Sequence, residues 1–99
     1  MTASENTPDL RPACGVRAVL WGDLDIYELP RFRAVLDALA GDAITIDMSR
    51  VRCVSAAFVT EIVRLRRRCP HSRIALVGLA DFNRHVLLTV GLDAICSLA

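Results

Sequence analysis

The stretch Ala43-Ile44-Thr45-Ile46-Asp47-Met48-Ser49-Arg50-Val51-Arg52-Cys53-Val54-Ser55-Ala56-Ala57-Phe58 contains the change of period that decides the fold. From Ala43 to Met48 apolar and polar residues alternate, with Ile44, Ile46 and Met48 on one side, the pattern of a strand that buries one face. Ser49 to Val54 reads as a short connection. Beyond it Phe58, Ile62, Leu65 and Cys69 recur at helical spacing, flanked by Val59 and Val63, and Ser55 stands where an N-cap is wanted.

The same alternation of elements extends in both directions. Upstream, Val16-Arg17-Ala18-Val19-Leu20-Trp21 is a β-prone run stopped by Gly22 and the acidic Asp23-Leu24-Asp25. A helix then opens at Pro30, whose missing N–H costs nothing in a first turn, and carries Phe32, Val35, Leu36 and Leu39 as its apolar stripe. Downstream, Pro70-His71 ends the second helix and Arg73-Ile74-Ala75-Leu76-Val77 reads as a buried strand. Asp81 is expected to cap a third helix from Phe82 to Val90, with Phe82, Val86 and Val90 facing the core and Gly91 at the C′ position. Ala94 to Leu98 is expected to form a last strand. Strands alternating with helices imply parallel neighbours and right-handed crossovers. The expected fold is α/β: a small, mixed but largely parallel sheet of four to five strands with three helices. Residues 1–12, polar and broken by Pro8 and Pro12, are expected to be a flexible tail or weak edge strand, and 13–99 the folded domain.

Composition narrows the function. A chain of 99 residues, 54% hydrophobic, is one domain with little room for a deep catalytic cleft. Its twelve cations, all Arg, nearly balance eleven acids, which argues against nucleic-acid or membrane binding driven by bulk charge. No apolar run approaches the roughly 20 residues of a membrane span, and the first fifteen residues have neither a basic start nor an apolar stretch, so a cytoplasmic protein is expected. Cys14, Cys53, Cys69 and Cys96 lack CxxC spacing and are expected to be reduced, buried thiols, with no metal site and no cofactor. Phosphate-binding glycine loops and the GxSxG and HExxH motifs are absent. His71 or His85 paired with Ser55 or Cys53 lacks a recognisable third group, and no enzyme is expected. Asp23 and Asp25 read as a solvated acidic turn rather than an ion loop. The cluster Arg64, Arg66, Arg67 and Arg68 reads as a solvated face that suits the negative helix end, with a docking surface for an anionic partner as the alternative.

Three stretches in register resemble a STAS domain, the fold of bacterial anti-sigma factor antagonists. Leu20-Trp21-Gly22-Asp23-Leu24-Asp25 is similar to that family's Gly-Glu-Leu-Asp strand end, and Ile46-Asp47-Met48-Ser49-Arg50-Val51 to its Asp-Leu-Ser-x-Val stretch. The third stretch, Asn83 to Asp93, resembles its later helix ending in Gly-Leu-Asp. The resemblance implies a non-catalytic regulator of transcription that docks on a kinase-like anti-sigma factor through Asp23, Asp25, Ser49 and the helix start Ser55-Ala56-Ala57-Phe58. It also implies a phosphoacceptor position, which here aligns with Ala57 and has no hydroxyl. Ser55 is the candidate substitute but reads first as an N-cap, and Thr60 is expected to be poorly accessible. Phe58, in place of the usual Gly, is expected to face either the core or the partner. Without a phosphoacceptor, docking is expected to be constitutive or controlled otherwise. The alternatives within the family are the small STAS subunit that binds the ATPase of a lipid-transport ABC complex, and a signalling scaffold or ligand-sensing module. The positive mean hydropathy (+0.40) and the absence of a final helix add the expectation of a homodimer or an obligate complex.

Overall fold

The computed structural model describes residues 15–99, so the expected tail and Cys14 lie outside the described residues. The elements follow one another as β1 (Gly15–Leu24), a 3₁₀ turn (Ile26–Glu28), α1 (Leu29–Asp37), β2 (Ala43–Val54), α2 (Ala56–Arg68), β3 (Arg73–Val77), α3 (Asp81–Thr89), a second 3₁₀ turn (Leu92–Ala94) and β4 (Ser97–Leu98). The sheet runs β1-β2-β3-β4, and among the described residues every pairing is parallel. Right-handed crossovers between successive neighbours put the helices on one face. There Leu20, Ile44, Ile46, Leu76, Phe32, Leu36, Phe58, Ile62 and Leu87 form the fully buried centre of the core. On the opposite face Val19 and Trp21 are exposed, while Thr45, Asp47, Ala75 and Val77 are half-buried.

Three expectations are corrected. Ser49 to Val54 is not a connection but the second half of β2, which carries two bulges against β1: Val19 pairs with Asp47 and Trp21 with Arg50, then Gly22 with Val51 and Asp23 with Cys53. Each extra residue resets the alternation, so Met48 and Val51 are both buried although three apart. Asp47 pins the first bulge by accepting from the Ser49 amide (2.9 Å) and hydroxyl (2.7 Å), and these bonds hold its carboxyl below the ordinary range. Gly78 lets the chain after β3 pass beside this bulge: its φ is +73°, and a Cβ there would lie 3.0 Å from the Ser49 Cβ and 3.2 Å from the Ser49 amide nitrogen.

The third helix is capped at Ala80, in extended backbone, without a side-chain bond; Asp81 is already helical and pairs with Arg84 (3.4 Å) instead. The helix also buries Asn83 and Leu87 rather than Phe82, Val86 and Val90; Phe82 is 71% exposed. Asn83 explains that rotation, since its amide nitrogen donates to the Val51 and Arg52 carbonyls (3.4 and 3.3 Å) at the end of β2, where β3 no longer pairs. The last strand is only Ser97–Leu98, because Leu92–Ala94 turns as a 3₁₀ segment and Gly91 before it has φ +80°.

Cys53 and Cys69 are half-buried and Cys96 is buried, all as free thiols; burial pushes the Cys96 thiol up to about 11. No helix of the described residues is long and apolar enough to cross a membrane.

Candidate functional site

Leu24, wholly buried, ends β1 and fixes where the chain must turn. Asp25 follows in extended backbone and caps the 3₁₀ turn: one carboxylate oxygen, Oδ1, accepts from the Tyr27 and Glu28 amides, each at 3.0 Å. Across from it Ser55 caps α2, its Oγ accepting from the Ala57 amide (3.2 Å) while donating to the Leu24 carbonyl (2.6 Å). That hydroxyl therefore ties the start of α2 to the end of β1 and sets the 3₁₀ turn beside the first turn of the helix. Between them lies an open groove of about 420 Å³ lined by Asp25, Ile26, Ser55, Ala56, Ala57 and Thr60.

Four of the residues singled out from sequence, Asp25, Ser55, Ala56 and Ala57, meet in this groove. Three lie elsewhere. Asp23 faces Arg52, which donates to it through Nε (2.7 Å) and Nη2, and Cys53 adds a thiol donor (3.3 Å). These bonds hold the Asp23 carboxyl down at about 2, and the same contact with Asp23, together with burial, raises the Cys53 thiol. Ser49 is exposed on the β2 bulge with its hydroxyl on Asp47. Phe58 is fully buried, its ring centroid 6.3 Å from that of Phe32 at a tilt of 60°, so it supports the helix start from within the core. Thr60 corrects the expectation of poor access, because it is exposed and lines the groove one turn beyond Ala56.

Exposed apolar side chains lie in and near the 3₁₀ turn, of which Ile26 lines the groove. Ile26 is 61% and Tyr27 88% exposed. Trp21, about half exposed, lies under the Arg31 guanidinium (4.6 Å to the ring centroid), and Arg31 also donates to the Trp21 carbonyl (2.9 Å) and to Glu28 (3.0 Å). Sequence reasoning missed Ile26, and it misjudged the access of Thr60, for which the i,i+4 spacing from Ala56 was the available signal. His71 and His85 are exposed and neither lines the groove. Among the described residues no three His, Cys, Asp or Glu side chains cluster as metal ligands.

Three of the four clustered arginines bond within the molecule, and Arg67 is exposed with no hydrogen bond among the described residues. Arg66 donates to the carbonyls of Ile95 (3.1 Å), Cys69 and Ser72 (2.5 Å each), and Arg68 to those of Leu36 and Leu39 (2.8 Å each). Arg64 pairs with Glu61 and, at 3.6 Å, with Asp37. Neither a solvated face nor an anion-docking surface describes Arg66 and Arg68.

Two solved structures share the fold. A sulfate transporter family protein from Wolinella succinogenes matches with a TM-score of 0.68 and 18% identity, over 81% of this chain and 69% of that one. The STAS domain of a SulP transporter from Vibrio cholerae matches with a TM-score of 0.63 and 9% identity, over 87% of this chain and 74% of that one. No curated protein matches the sequence significantly. A family model described as "Mlab, STAS domain" matches residues 13–98, nearly the whole chain. With that match and a parallel sheet backed by three helices, the chain belongs to the STAS domain family.

Proposed function

We infer that this STAS domain is a non-catalytic docking module that holds a partner protein at the groove between the 3₁₀ turn and α2, without a phosphoryl switch. The observation that carries the reading is the groove itself, an open cleft lined by Ala56, Ala57 and the exposed Ile26, with the exposed Tyr27 next in sequence. Small soluble domains rarely leave such side chains together without a binding role. The position where the family resemblance expects a phosphoacceptor is Ala57, and the one serine nearby spends its hydroxyl on the Leu24 carbonyl and the Ala57 amide. The family's phosphoacceptor position therefore offers no hydroxyl, the exposed Thr60 lying one turn further along α2, and docking is constitutive.

Two partners suit such a module: a kinase-like anti-sigma factor, or the ATPase subunit of a lipid-transport ABC complex. The missing phosphoacceptor weakens the first. The Mlab description of the matching family favours the second. Affinity capture of the tagged chain from its host, beside an Ala56→Trp variant that fills the groove from an exposed position, tests both. The expected result is an ATPase recovered by the wild type and lost in the variant, with the intact mass of the captured chain carrying no phosphate. Recovery of a sigma-regulating kinase would return the first partner. A stoichiometric phosphate, or no capture that depends on the groove, would overturn constitutive docking.

A further inference from the structure

Three acids crowd the segment from Asp23 to Glu28, and the structure treats them differently. Asp23 is paired with Arg52, and Glu28 with Arg31 at 3.0 Å. Neither arginine lines the groove, and Arg31 sits over the Trp21 ring. Asp25 lines the groove, and among the described residues no cation pairs with its carboxylate, which is engaged only by two backbone amides on one oxygen.

The start of α2 contributes the opposite sign. A helix N-terminus carries the equivalent of about +0.5 charge, and the full negative charge of Asp25 exceeds it. The groove is therefore net negative at one edge and apolar across Ile26, Ala56 and Ala57. An anionic or phosphorylated ligand would meet the Asp25 carboxylate, whereas a purely apolar one would leave it desolvated without a counter-charge.

We propose that the groove receives one apolar side chain of a partner protein together with a neighbouring lysine or arginine that pairs with Asp25. This rests on the docking reading above and names the chemistry the partner must present. Ile26 and the alanine methyls take the apolar side chain, and the cation reaches Oδ2 of Asp25, the other oxygen being spent on the turn. Complementary charge of this kind fixes register and rejects acidic competitors more than it adds raw affinity.

The test selects displayed random peptides on the wild-type protein and counter-selects them on Ala56→Trp. Peptides that survive are expected to share an apolar residue next to Lys or Arg. Asp25→Asn then isolates the charge, because asparagine keeps the Oδ1 that caps the turn and the fold stays as it was. Binding of the selected peptide is expected to weaken about tenfold in that variant, and wild-type binding to weaken with added salt while Asp25→Asn binding does not. Peptides that depend on the groove but are acidic, or indifferent to Asp25→Asn, overturn the proposal and leave docking intact. A selection that yields nothing, or peptides that bind Ala56→Trp equally well, overturns the docking groove and the proposal with it.

Discussion

At its C-terminal end α2 is bound to the rest of the molecule through guanidinium groups, whereas at its N-terminal end it meets its surroundings through two alanines and a serine. Arg66 and Arg68 reach five backbone carbonyls, two of which, Leu36 and Cys69, also accept a backbone amide, and so close the ends of α1 and α2 and the link before β4. Such cations also suit the negative end of the helix. At the other end Ser55 makes the two bonds that anchor the helix, and Ala56, Ala57 and Thr60 leave a groove. A run of like charges is thus the structural end of this helix, and the chemically plain end is the open one. Charge density alone does not locate a surface for a partner; what matters is whether the charges are already engaged.

The sharpest way to break this contrast is Phe58→Ala. If the open end of α2 rests on a packed core, deleting a fully buried ring that packs on Phe32 costs about 3–5 kcal/mol in denaturant unfolding. A loss below about 1 kcal/mol would mean that the ring is not a core element and belongs to the docking surface after all. Next in size is Arg68→Ala, which removes the charged donor from the Leu36 and Leu39 carbonyls, while the Leu36 carbonyl keeps its bond from the Leu39 amide. Hydrogen bonds from charged groups contribute about 1.5–3 kcal/mol, and water replacing part of them here leaves an expected loss of about 1–2 kcal/mol. Arg67→Ala, exposed and without a hydrogen bond among the described residues, is expected to stay within about 0.5 kcal/mol. Equal losses from both arginines would return the cluster to a solvated face.

The alternation of strands and helices, the α2 stripe and the Ser55 cap were legible because each depends on neighbours in sequence. The rest depended on partners far along the chain. Nothing local in Ser49 to Val54 announces a bulged strand, since its parity is reset by pairing with residues about thirty positions earlier in β1. The same distance hides the face of α3: Phe82, Val86 and Val90 form a plausible stripe, and only the carbonyls of Val51 and Arg52 turn Asn83 inward. At the groove, family resemblance brought Asp25, Ser55, Ala56 and Ala57 into view. Ile26 escaped it because a 3₁₀ turn, not a strand or helix, carries that side chain to α2. Asp23 and Ser49 looked like site residues because their type and position match the family, yet their hydrogen-bonding groups are engaged within the sheet.

Between the two ends of α2 sits Glu61, whose loss of charge is expected to give a modest effect and to report on how α1 holds the helix. Its side chain is 1% exposed, and Arg33 of α1 donates to both its oxygens (3.2 and 2.9 Å) while Arg64 donates from the same helix. These bonds, Arg33 first, hold the Glu61 carboxyl below the ordinary 4.5 of a glutamate against the opposing cost of burial. A carboxyl depressed in the folded state contributes stability above its unfolded value and loses it as pH falls through the lower folded value. Asp23 and Asp47 are depressed too, so the wild type alone cannot assign its acid sensitivity to any one of them. Comparison with Glu61→Gln, a near-isosteric change without the charge, isolates this residue. The variant is expected to melt a few degrees lower at neutral pH, with the gap narrowing as pH drops below 4.5 and the wild-type carboxylate takes up its proton. Because both arginines are about half exposed, water screens part of the attraction and keeps the effect modest. A gap that stays constant across that range would mean that the charge on Glu61 contributes nothing and that α1 and α2 are held together by Phe32, Leu36, Phe58 and Ile62 alone.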